Sequence, residues 1–141
     1  MSEKGIDFLI KEEGEVLHAY KCQANVWTIG VGHTGGVKKG DVITKKESRD
    51  LLKKDLKHFE LVVNRYVRVP LTQNQFDALV SFSFNVGAGA FKRSTLLKKI
   101  NAKRPIKEIE NEFRKWRRGG GKVLPVLVRR REHEIKLYKG E

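Results

Sequence analysis

EEGEVLHAYKCQANVWTIGVGH, residues 12–33, is the stretch on which the fold turns. It changes character partway through. Before it, GIDFLIKEE (5–13) places Ile6, Leu9 and Ile10 at helical spacing, and Gly14 supplies a left-handed residue to end a short helix. After it, Val26, Trp27, Thr28, Ile29 and Val31 are strand formers punctuated by Gly30, Gly32, Gly35 and Gly36. A helix thus ends on Glu13 and gives way to a small antiparallel hairpin or three-stranded sheet over about 18–43. The chain's one cysteine, Cys22, stands nine positions after Glu13, and Thr28 stands six positions after Cys22.

Downstream, the pattern is helical. Thr44-Lys45-Lys46-Glu47 is a capping box opening a long helix over about 45–66, with Leu52, Leu56, Phe59, Val63 and Tyr66 on one face. Thr72-Gln73-Asn74-Gln75 is a second capping box. The helix it opens, about 73–86, is apolar nearly all round, as a buried central helix should be. Ser94 can cap a short helix through Leu96, Leu97 and Ile100. Pro105 fits the first turn of another, with Ile106, Ile109, Phe113 and Trp116 in register. GGGK (119–122) reads as a flexible break, and Pro125 opens a last helix with Leu127, Val128, Ile135 and Tyr138 inward.

The predicted fold is therefore α+β, mostly α, in one 141-residue domain of two lobes. A small N-terminal β-sheet lobe, about 14–43 with the N-terminal helix, carries all the strands. A C-terminal helical lobe covers about 67–141, and the long helix joins the two. A cleft between lobes is a usual place for a site.

Composition narrows the function. The net charge of +13 is unevenly placed: residues 1–43 hold 5 Lys/Arg and 6 Asp/Glu (−1), leaving +14 on residues 44–141. Such a field attracts nucleic acid, anionic lipid or an acidic wall polymer. One cysteine excludes an internal disulfide. The longest apolar run near the N-terminus, Phe8-Leu9-Ile10, is too short for a signal-peptide core, so the expectation is a soluble protein made in the cytoplasm.

Glu13–(eight residues)–Cys22–(five residues)–Thr28, followed by Ile29-Gly30-Val31-Gly32-His33, resembles the phage-type lysozymes. These are the muramidase endolysins of tailed phages and prophages, family 24 of the glycoside hydrolases, with their E-x8-D/C-x5-T pattern. PLTQNQFDALVSFSFNVGAGAF (70–91) resembles the family's central helix and following turn, and GGGKVLPVLVRRREHE (119–134) its C-terminal signature. Val126 stands where the family usually has glycine.

The resemblance implies hydrolysis of the β-1,4 bond between N-acetylmuramic acid and N-acetylglucosamine in peptidoglycan, for host cell lysis. Cleaving a glycosidic bond needs a proton for the leaving oxygen and a group to handle the oxocarbenium-like centre opposite. Glu13 is the expected general acid, provided burial tunes it. Cys22 takes the second catalytic position, and Thr28 positions water or stabilises the intermediate. His33, Phe84, Asn85 and Ser94 are implied along the sugar-binding cleft, although His33 also reads as a structural histidine and Phe84 as core.

No cofactor is implied. His18, His33, His58 and His133 lack metal-ligand spacing. The implied partners are peptidoglycan, an anionic envelope held electrostatically, and a separate holin-like protein for export, with the enzyme itself a monomer. It would wait in the host cytoplasm and act on the wall after release. Arg117-Arg118 and Arg129-Arg130-Arg131 read as solvated helix faces rather than phosphate or lipid sites. Trp27 and Trp116 could stack on sugars, with core the simpler role for Trp116. The alternatives are a lytic transglycosylase on the same bond, which the non-carboxylate Cys22 keeps open, and a basic nucleic-acid-binding module, for which no motif is present.

Overall fold

The computed structural model describes residues 1–141. The chain divides into two compact units, one of Glu3–Lys57 and one of Met1–Ser2 with His58–Glu141.

The first unit opens with α1, Glu3–Glu13, which buries Ile6 and Leu9. Full burial of Leu9 alone contributes roughly 1.5–3 kcal/mol before entropy is counted. Arg49 ties the solvent side of α1 by pairing with Glu3 and, at 2.7 Å, with Asp7. Gly14, at φ +80°, ends the helix and donates its N–H to the Ile10 carbonyl at 2.8 Å. Strands β1 (Val16–Lys21) and β2 (Trp27–Gly30) follow and pair antiparallel, Tyr20 opposite Thr28 and Lys21 opposite Trp27, with an irregularity between Val16 and Tyr20. The other edge of β1 is met by residues 41–43: Ala19 N–H donates to Asp41 O at 2.8 Å and Ile43 N–H to Leu17 O at 2.9 Å. Gly30 has φ +66°, and a Cβ there would stand 3.0 Å from Ser48 Oγ, so the close approach of β2 to the following helix requires glycine.

That helix, α2, spans Lys45–Tyr66 and runs from the first unit into the second. Its capping box is formed: Glu47 N–H donates to Thr44 Oγ1 at 3.1 Å and Thr44 N–H to Glu47 Oε1 at 3.0 Å.

The second unit is built on α3, Gln73–Val86, which opens with the Thr72–Gln75 capping box and is buried from Asp77 through Ser83. Three short helices follow: α4 (Ala88–Arg93), α5 (Thr95–Asn101) and α6 (Ile106–Arg114). The last helix, α7 (Pro125–Lys139), packs extensively on α3. Phe82 on α3 organises the core, meeting Phe113 at 5.5 Å and Trp116 at 5.6 Å, both edge-on. Trp116 is half-buried, with one ring edge against this core.

The structure corrects two readings of this unit. GGGK is not a flexible break but the turn of a hairpin, β3 (Arg118–Gly119) with β4 (Lys122–Val123), so the strands are not confined to the N-terminal part. Gly120 and Gly121 both have positive φ, +58° and +80°, as a two-residue type I′ turn demands. Nor is the arginine run a solvated face. Arg129 is exposed, but Arg130 and Arg131 are 5% and 1% exposed. Glu134, itself fully buried, accepts from Arg130 Nε at 3.2 Å, Arg131 Nη1 at 2.8 Å and Ser81 Oγ at 2.7 Å. Burial pushes the Glu134 carboxyl up against the pull of Arg131 and Arg130.

Candidate active site

Four of the residues singled out by sequence lie in the first unit: Glu13, Cys22, Thr28 and His33. Glu13 is the last residue of α1, where the helix C-terminus presents its negative end. It is exposed, whereas the sequence reading expects burial. The reason lies in Gly14: the chain turns there, immediately after the carboxylate, and the next buried position is Thr28 on β2.

Cys22 follows β1 directly and starts the turn to β2. The turn is closed by Cys22 N–H donating to Val26 O at 3.0 Å and Asn25 N–H to Cys22 O at 2.8 Å. Asn25 takes φ +60°, a conformation its short polar side chain tolerates. Thr28 is 3% exposed, and its hydroxyl donates to Val26 O at 2.9 Å.

These contacts act on the half-buried thiol. The Val26 backbone, then the Thr28 hydroxyl, then the Ala24 backbone hold Cys22 below the ordinary thiol range. Thr28 has a single hydroxyl proton. While that proton is on Val26 O, the hydroxyl oxygen can only accept from the thiol, and stabilising the thiolate requires the proton to rotate onto sulfur. Cys22, Thr28 and the Val26 carbonyl therefore form one small switchable hydrogen-bonding group.

His33 is held from both sides. Nδ1 lies 2.8 Å from Asp55 Oδ2, and Nε2 lies 2.9 Å from Gly35 O. Reciprocal backbone bonds of 2.9 Å between Ile29 and His33 fix the loop after β2. Both partners are acceptors, so a neutral ring donates to one of them at a time, and that bond braces His33. Asp55, its partner on α2, carries no motif that a sequence reading could use.

The other three lie in the second unit. Phe84, near the end of α3, packs edge-on against Phe59 at 5.3 Å. Asn85 is exposed and accepts a hydrogen bond from Arg131 through Oδ1. Ser94 is 4% exposed, and its hydroxyl donates to Phe91 O at 2.7 Å and accepts from Leu97 N–H at 3.1 Å as the cap of α5. Those bonds make Ser94 the cap of α5 and leave one acceptor position on its buried hydroxyl. Trp27 is half-buried, with the Lys21 ammonium 5.4 Å from its ring centroid.

Comparison with known proteins gives a consistent result. A family model described as "Phage lysozyme" matches residues 10–134. The "Endolysin" of Acyrthosiphon pisum secondary endosymbiont phage 1 is 41% identical over 143 residues, covering 99% of this chain and 97% of that protein. The "Endolysin" of Bacillus phage PZA is 44% identical over 141 residues, but this chain spans only 54% of its length. Among solved structures, the "Muramidase domain of SpmX from Asticaccaulis excentricus" superimposes with a TM-score of 0.90 at 38% identity, covering 97% of this chain and 95% of that one.

Proposed function

The chain belongs to the phage lysozyme family, a peptidoglycan-degrading lysis enzyme by descent, and we propose that it hydrolyses the β-1,4 bond between N-acetylmuramic acid and N-acetylglucosamine with Glu13, Cys22 and Thr28. The observation that carries the assignment is local: one unit presents a carboxylate at the end of α1 and, on the hairpin that follows, a thiol and a hydroxyl joined through the Val26 turn.

The Glu13 carboxyl donates its proton to the glycosidic oxygen as the bond to the anomeric carbon breaks. Because Glu13 is exposed, a sugar docked over it is what excludes water from the carboxyl. The electron-poor centre is then attacked by water, whose proton passes to the Glu13 carboxylate left by the first step or to a Cys22 thiolate. Cys22 and Thr28 hold that water: the hydroxyl of Thr28 accepts or donates by rotation, and Cys22 offers a polarizable sulfur whose thiolate is favoured by its surroundings. Phe84 and Asn85, in the other unit, are proposed separately as sugar-contacting residues.

The net charge of +13 draws the enzyme toward the anionic envelope. Lysis of whole cells should therefore weaken as salt rises, since the Debye length is only about 8 Å at physiological ionic strength. Cleavage of a short neutral chitooligosaccharide should respond far less. No helix is long and apolar enough to cross a membrane. The proposed route to the wall is passage through a lesion made by a separate holin-like protein, with the enzyme acting as a monomer.

A transglycosylase reading draws on the same site, because Cys22 is not a carboxylate and the muramoyl 6-hydroxyl could replace water. Mass spectrometry of digested muropeptides separates the two. New reducing ends support hydrolysis, and anhydro ends lighter by one water would reject it.

A further inference from the structure

The end of α2 and the short helices α4 and α5 frame a cavity of about 460 Å³, lined by Tyr66, Arg68, Lys92, Leu97, Lys98 and Asn101 among others. No carboxylate lines it. Arg68, Lys92 and Lys98 make no ion pair, whereas Lys99, the next residue along, is paired with Glu112 at 3.0 Å and Glu108 at 3.6 Å. Lys99 thus spends its charge within the protein, and its neighbour leaves its own at the cavity.

The frame is fixed. Asn101 Nδ2 donates to Tyr66 O at 3.0 Å, and its Oδ1 accepts from Arg68 N–H at 2.7 Å, pinning the exit of α2 to the end of α5. The Lys92 ammonium lies 5.2 Å from the centroid of the Tyr66 ring, which holds a long cationic side chain at the wall by a cation–π contact. Three cations without a carboxylate partner line one cavity, and a bound anion would supply the missing counter-charge. A tetrahedral phosphate matches them better than a carboxylate does, because it offers more oxygens and more charge to a guanidinium and two ammonium groups. The volume exceeds what a phosphoryl group needs and leaves room for an attached polyol or sugar. None of the lining residues is an exposed large apolar side chain of the kind that would enter a bilayer.

From these features we propose that the cavity between Tyr66, Arg68, Lys92 and Lys98 binds a phosphate ester carried on a polyol or sugar, separately from the site of bond cleavage. The binding is independent of catalysis, so its test does not depend on the hydrolytic assignment. The ¹⁵N-labelled protein is titrated with glycerol 3-phosphate and, in parallel, with sodium chloride at matched ionic strength. Saturable shifts of the Arg68, Asn101 and Ala102 amides with the ester alone are expected. Lys92→Gln with Lys98→Gln should weaken binding at least about tenfold, while Lys39→Gln with Lys136→Gln, which removes the same charge elsewhere, should not. Equal responses to ester and chloride, or equal losses in the two variant pairs, would overturn the proposal. Sedimentation with phosphatidylglycerol vesicles without any response to glycerol 3-phosphate would also overturn it, assigning the surface to the membrane instead.

Discussion

The Ser81 hydroxyl donates a 2.7 Å hydrogen bond to Oε2 of Glu134, and both side chains are sealed from solvent. The same carboxylate holds the guanidinium groups of Arg130 and Arg131, so α3 and α7 are joined by a buried charge cluster rather than by apolar contact alone. Losing the Ser81 bond by Ser81→Ala should cost about 1–3 kcal/mol. Glu134→Gln should cost more, about 3–5 kcal/mol, because two arginines are left buried without their counter-charge. Urea unfolding of the two variants checks the order. Equal stability of Glu134→Gln and the parent would show that the cluster contributes nothing.

Glu112 gives a stability term with a defined pH dependence. Burial pushes its carboxyl up, but Lys115 at 2.8 Å and Lys99 at 3.0 Å outweigh burial and hold it below the usual range. A carboxylate depressed in the folded state stabilises above its unfolded value, about 4.3, and that contribution is lost as pH falls through the folded value. Glu112→Gln should therefore be less stable than the parent at pH 7. The two should converge as pH falls through the depressed folded value. Melting curves across pH that run parallel would contradict the assignment.

The hairpin of β3 and β4 separates two roles of glycine. At Gly119 a Cβ would come within 2.6 Å of Leu124 Cδ1, while at Gly120 nothing stands within 4 Å and only the φ of +58° is special. Gly120→Asn should be nearly neutral, because asparagine accepts that conformation. Gly119→Ala makes the end of the flexible Leu124 side chain turn aside and should lower the melting temperature only slightly. A clear loss of stability in Gly120→Asn would mean the turn is not type I′.

The elements most legible in the sequence were those whose ends are set locally. The Thr44–Glu47 and Thr72–Gln75 boxes and Gly14 fix the limits of α1, α2 and α3 through hydrogen bonds within four residues. The harder features depend on contacts far along the chain. Arg130 and Arg131 look like a surface run with Glu134 until Ser81, 49 positions before Arg130, is placed beside them. Helix α4 was hidden because Gly87 and Gly89 weaken any helical pattern. At the site, the spacing of Glu13, Cys22 and Thr28 was readable, but the exposure of Glu13 and the bracing of His33 by Asp55 were not, since neither leaves a local trace.

Cys22 should react as a more acidic thiol than usual. An ordinary cysteine ionises near pH 8.5, and hydrogen bonds from Val26 and Thr28 hold this one lower. The rate of alkylation by iodoacetamide, which follows the thiolate, should thus have its midpoint below that value. Thr28→Val should move the midpoint up without restoring it fully, because the Val26 backbone is the larger influence. A midpoint at or above the ordinary value would remove the thiolate from the account. Alkylation should also inactivate the enzyme.

If Glu13 supplies the proton for glycosidic cleavage, the isosteric change Glu13→Gln at this exposed position removes it. The measurement is the rate at which purified peptidoglycan gains reducing ends, taken beside a melting curve. General acid catalysis is worth about 10²–10⁴-fold, so the variant should lose at least that much activity while melting as the parent does. Retention of more than about a tenth of the parent rate by a normally folded Glu13→Gln would fall well outside that range and contradict the claim.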